Sequence, residues 1–154
     1  MTSITSIDEA YLLELRREFP RLRVVSKSQD AFSKVIDRAL RLVTFGGQSA
    51  YMTRYVTTIG ATIYLHEGWT SRSPESRYVT LRHEAVHLRQ FERFGFVAMA
   101  LIYLFPIAPM GLAWGRARLE WEGYAETIRA TAEVRGPDAA RRSIGCGPGP
   151  DRRR

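Results

Sequence analysis

Cysteine is nearly absent from the sequence: Cys146 stands alone in a Gly/Pro-rich stretch, which excludes an internal disulfide and any thiolate cluster for a structural metal. Lysine is nearly absent too. Only Lys27 and Lys34 occur, so the net charge of +7 rests on arginine, and the last of those arginines close the chain at 152–154. A basic balance spread over several segments, with no recognisable binding motif attached to it, leaves nucleic acid an unexpected partner. No secretion signal is read at the N-terminus, because Asp8 and Glu9 arrive before any apolar run and no small-residue cleavage site follows one. Together with the lone cysteine this points to a reducing, cytoplasmic setting. Histidine is scarce as well: His66, His83 and His87 are the full set of three.

What is there suits one globular domain. The chain has 154 residues, 45% of them hydrophobic and 25% charged, which is enough to bury a proper core. Thr5 or Ser6, followed by Asp8 and Glu9, reads as the capped start of a helix that runs to about Phe19 and stops at Pro20. A short strand is expected over 21–25. Ser28 and Asp30 then cap a second amphipathic helix, in which Phe32, Val35, Ile36, Ala39, Leu40 and Val43 recur at helical spacing. From Tyr51 to Leu65 the composition turns β-branched and aromatic around Gly60, predicting two short strands or one bulged strand. Ser73-Pro74-Glu75 predicts the start of a further helix. A last helix is expected from about Arg116 to Val134, closed by Gly136-Pro137. The domain therefore spans 1–135, with 136–154 expected as a disordered tail.

The helix that opens at Ser73 carries His83-Glu84-Ala85-Val86-His87. Residues four apart share a helix face, so both imidazoles can address one ion while Glu84 stands beside it. This pattern suits zinc chemistry. A bound Zn2+ polarises a water and the substrate carbonyl, and a neighbouring carboxylate takes the proton of that water and passes it to the leaving amine. Glu84 fits the role of base better than that of ligand. His66, which follows the β-rich stretch, reads as structural.

A catalytic zinc usually has three protein ligands. A third histidine further along the same helix is excluded, because Arg93 holds the position it would need, and Glu92 lies on the wrong side. The last helix offers Glu120 and Glu122. Its apolar face is expected to comprise Ala117, Trp121, Tyr124, Ala125, Ile128 and Ala132. Glu120 borders that face, whereas Glu122 shares its side with Arg118, Glu126, Arg129 and Glu133, a pattern typical of a solvated face. Glu120 is thus preferred as third ligand, with Glu122 the alternative.

The run Leu81 to Gln90, followed by Arg118-Leu119-Glu120-Trp121-Glu122-Gly123-Tyr124-Ala125, resembles the gluzincin branch of the zincin metallopeptidases, in particular small bacterial members. The likeness covers Arg82 to Ala125. It implies His83, His87 and Glu120 as zinc ligands, Glu84 as general base, and a peptide or protein as substrate. It also implies a minimal zincin-like α+β fold: a short antiparallel sheet on the active-site helix, with Thr57 to Leu65 supplying the substrate-binding edge, then an apolar helical hairpin and the third-ligand helix. One departure stands out. Relatives often have Asp or Asn four residues after the third ligand, where this chain has Tyr124, which could support a histidine, donate to an oxyanion or pack in the core.

Phe94 to Trp114 contains no charged residue. As one straight helix it would cross a bilayer at about 1.5 Å per residue, but that would part His87 from Glu120 by roughly 30 Å of hydrocarbon. A shared zinc and a straight span exclude each other. Pro106 and Pro109 allow a fold-back as a helical hairpin, which is then buried, covers a partner surface or dips into one leaflet; arginines at both ends would suit the last of these at an anionic membrane surface. The alternative function is a non-enzymatic membrane-associated protein in which this segment spans and the histidine motif is accidental.

Overall fold

A computed structural model describes residues 5–27, 56–104 and 111–145. The helix expected over 28–46 lies outside them, as do the start of the β-rich stretch, the prolines at 106 and 109, and the end of the chain. Helix α1 (Ile7–Glu18) begins after Ser6, whose backbone N–H donates to Glu9 Oε2 at 3.1 Å. Strands β1 (Arg23–Ser26), β2 (Thr57–Ile59) and β3 (Thr62–Leu65) form one sheet in the order β1-β3-β2. Helix α2 (Pro74–Phe94) starts at Ser73, whose side chain accepts from Ser76 N, with Pro74 in the first turn where its missing amide is harmless. After it come α3 (Phe96–Leu104), α4 (Gly111–Arg135) and α5 (Pro137–Ser143). The architecture is α+β.

The sheet corrects one expectation, being mixed rather than antiparallel. The β2–β3 hairpin is antiparallel, with Thr58 opposite Ile63, and turns at Gly60, whose φ of 59° lies in the left-handed region that glycine tolerates. By contrast β1 runs parallel to β3, pairing Val24 with Ile63. A long connection separates the two in sequence, which is what parallel pairing requires.

Helix α2 is the hub. Leu81, Ala85 and Leu88 recur at helical spacing and pack with Leu15, Phe19 and Ile63 into the core that joins α1, the sheet and α2. Each large side chain buried there contributes about 1.5–3 kcal/mol. At the edge of the core, Arg77 Nε lies 2.8 Å from Asp8 Oδ2 and ties α2 to α1. The opposite flank of α2 faces α4. Arg82 donates to Glu126 through Nε at 2.7 Å and pairs with Glu133 at 3.0 Å.

Two further expectations are corrected in the C-terminal part. The chain does not lose structure at Gly136: Pro137–Ser143 is helical and buries Ala140. The apolar face assigned to α4 is also rotated from the one observed, since Trp121 and Tyr124 are exposed while Leu119, Gly123, Ala130 and Thr131 are buried. Close helix packing selects small side chains at the α2–α4 seam, so the aromatic residues project away from it. Helix α3 contacts both α2 and α4, and among the described residues no helix is long and apolar enough to cross a membrane.

Candidate metal centre

His83 and His87 lie on α2 at 83, 87, 90 spacing with Gln90, all directed at α4. Their Nε2 atoms are 3.1 Å apart. Glu120 of α4 brings Oε2 to 4.0 Å from His83 Nε2 and 3.9 Å from His87 Nε2. One ligand atom from each of the three residues falls within 4.8 Å of the others. Glu122 is not part of this group: its Oε2 accepts a hydrogen bond from Gln90 Nε2 at 3.0 Å. Nor is it on a solvated face, because Glu122 and Glu126 are both half-buried against α2.

The hydrogen bonds around the imidazoles determine where their protons sit. Thr127 donates its hydroxyl hydrogen to Gly123 O at 3.1 Å, and a hydroxyl has only one hydrogen to give. At 3.0 Å from His83 Nδ1, Thr127 Oγ1 therefore accepts, and His83 carries its proton on Nδ1. Gln90 reproduces the logic for the second ring. Its Nε2 donates to Leu119 O and to Glu122, both at 3.0 Å, which orients Oε1 as an acceptor 2.9 Å from His87 Nδ1. In these tautomers each Nε2 is the acceptor nitrogen of its ring, and the two face one another at 3.1 Å.

Two acceptors at that separation repel unless a cation stands between them. A proton is a poor choice, because burial, and after it the second imidazole, lower the pKa of His83, with Glu84 and Glu120 opposing. A metal ion fits better. Two nitrogens about 2.0–2.1 Å from one zinc at the tetrahedral angle lie about 3.3 Å apart, close to the 3.1 Å found. Nitrogen–nitrogen–carboxylate is also a zinc-type donor set with an open fourth position. The bonds from the two Nδ1–H groups are those that hold metal-binding histidines in their tautomer.

Glu84, the residue after His83, points elsewhere. Its side chain is buried and Oε2 accepts from Thr58 Oγ1 at 2.7 Å. Thr58 lies on β2, one of the two edge strands of the described sheet, and the hairpin sits against α2 beside the motif. Close by, the wholly buried Lys27 donates from Nζ to Thr57 Oγ1 at 3.1 Å. Tyr124 is not core: it is exposed, with its ring set edge-on to His83 at 5.6 Å between centroids. His66 is apart from the cluster, buried with its ring edge-on to Trp69.

Sequence reasoning missed three participants. Thr127 and Gln90 carry no charge and belong to no motif, and a polar uncharged side chain acquires meaning only once its partner is known. Gly123 is the third. A Cβ built there would stand 2.7 Å from His83 Cε1 and 3.0 Å from each ring nitrogen, so the imidazole occupies the space that glycine leaves open. No known family model matches the chain, and no curated protein or solved structure matches it either.

Proposed function

We propose that this protein is a zinc-dependent metallopeptidase, with His83, His87 and Glu120 as metal ligands and Glu84 as general base. The observation that carries the reading is the convergence of two imidazole nitrogens and one carboxylate oxygen, next to a second, buried carboxylate bonded elsewhere. Zinc bound there would supply a Lewis acid for the substrate carbonyl and lower the pKa of a water. The remaining work falls to the chain. Thr58 fixes one oxygen of Glu84 by its 2.7 Å hydrogen bond; the carboxylate takes the proton of the attacking water and delivers it to the departing amine nitrogen. Thr127 and Gln90 keep each histidine in the ligating tautomer. Strand β2 offers an edge along which an extended peptide can pair its backbone. The proposed setting is the cytoplasm, in keeping with the single cysteine.

Metal analysis and peptide hydrolysis on one preparation test this. Wild type is expected to hold one zinc and His83→Ala none. Glu84→Gln should keep the metal while losing hydrolysis of a mixed peptide library by about 10²–10⁴-fold. Absence of zinc uptake overturns the site. Zinc uptake with hydrolysis unaltered by Glu84→Gln overturns the assigned chemistry.

A further inference from the structure

The exposed face of α4 is at odds with an ordinary soluble helix. Trp114, Ala117, Arg118, Trp121 and Tyr124 follow one another at helical spacing, with Trp114 and Trp121 exposed by 70% and 69%. On α3, Val97 and Leu101 are likewise exposed, by 71% and 48%, four residues apart, and Phe94, at the end of α2, extends the patch. The two stripes lie on packed neighbours, since Ile102 of α3 is the side chain nearest to the open face of Gly115 on α4. Scattered apolar residues on a surface need no explanation; a patch with two tryptophans and three other large apolar side chains does.

Charge says what covers it. Between Glu92 and Glu120 the sequence has no acidic residue at all, while Arg93, Arg116 and Arg118 stand along the same stretch and are exposed. Arg93 lies over the Phe94 ring at 5.0 Å. Aromatic side chains at the surface with arginines among them, and Glu120 as the one acid bordering the stripe, match the boundary of an anionic bilayer, where tryptophan settles at headgroup depth and cations meet phosphate. A protein partner would not require the acid-free run. No helix among the described residues is both long and apolar enough to cross a membrane, so the mode inferred is lying on the membrane.

We infer that α3 and the outer face of α4 dock this protein on an anionic lipid surface through Trp114, Trp121, Val97 and Leu101, with Arg116 and Arg118 engaging the headgroups. Tyr124, at the end of the α4 stripe, touches His83 edge-on, so docking brings the mouth of the metal centre to the membrane surface. The inference stands on the surface alone and survives failure of the zinc reading.

Co-sedimentation of the full chain with vesicles of phosphatidylcholine, alone or mixed equally with phosphatidylglycerol, tests it without any activity. Binding to the anionic vesicles is expected, with quenching of tryptophan emission by bromine-labelled acyl chains. Trp114→Ser and Trp121→Ser should each weaken binding about tenfold or more. Arg116→Gln and Arg118→Gln should weaken it about fivefold each, on anionic vesicles only. Circular dichroism confirms that these surface variants fold. Failure to bind anionic vesicles overturns the inference, as does binding indifferent to both tryptophans, or burial of the two tryptophans by self-association or an apolar peptide instead of lipid.

Discussion

Gly123→Ala puts the α2–α4 seam to its sharpest test, because two opposing effects of known size meet at one atom. Replacing glycine by alanine inside a helix gains about 1 kcal/mol from propensity alone. Against this, the new Cβ would stand 2.7 Å from His83 Cε1 and 3.0 Å from both ring nitrogens, where carbon contacts are comfortable at about 3.5–4.0 Å. The ring must retreat by about 1 Å, twice the roughly 0.5 Å within which a functional constellation has to be held. Its bond to Thr127, now 3.0 Å, goes with it. Overpacking of this kind costs about 1–3 kcal/mol, so the metal-free variant should end within about 2 kcal/mol of wild type. Zinc affinity should fall by one to two orders of magnitude, as for loss of a residue that orients a ligand, or about 1.4–2.8 kcal/mol. Competition against a chromophoric chelator measures the affinity and urea titration the stability. Gly115→Ala on the same helix is the control: its Cβ would meet only Ile102 Cγ2, at 4.0 Å, and it should gain stability with zinc binding unchanged. Wild-type zinc affinity in Gly123→Ala would refute the placement of His83 as a ligand against α4.

Two further outcomes follow from the same geometry. Glu120→Gln should cost at least about a hundredfold in zinc affinity, whereas Glu122→Gln, acting only through Gln90, should cost about tenfold; the reverse order in the chelator assay would exchange their roles. For pH, the buried His66 has a pKa lowered from its ordinary value of 6.5 by desolvation first, then by the charges of Arg72 and Lys27. The unfolded chain therefore binds the proton more readily. Its neutral form contributes stability that is complete above about pH 6.5 and is lost as pH falls below that value toward the folded pKa. Urea midpoints of the chelated protein across that window should fall less steeply for His66→Gln, and equal slopes would remove His66 from the account.

Local signals in this sequence were informative where one residue decides the outcome. Ser73-Pro74 starts α2 because a cap and a residue with no amide to satisfy are both local chemistry, and Gly60 marks the hairpin turn because only its own φ is at issue. Pairing direction was not legible: β1 and β3 are joined through a long connection, and no short-range pattern says that Val24 meets Ile63 in parallel. Burial on α4 was misjudged for a related reason. A wheel ranks faces by hydrophobicity, but the side that meets α2 is set by how near two backbones approach, and that rewards Gly123 and Ala130 over Trp121 and Tyr124.

That misjudgement and the placement of Glu120 have one physical origin. With Trp121 turned outward and Gly123 inward, Glu120 stands at the rim of the seam, half-buried, where its carboxylate reaches both Nε2 atoms without leaving water entirely. Were the helix rotated to bury the aromatic stripe, Glu122 and Glu126 would lose Gln90 and the half-buried Arg82. The ion pairs of Arg82 therefore fix the rotation of α4, and the rotation delivers Glu120 to the histidines and the tryptophans to the surface. A single choice of helix face thus produces both the candidate metal centre and the apolar patch beside it. Arg82, which belongs to neither, sets their relative position.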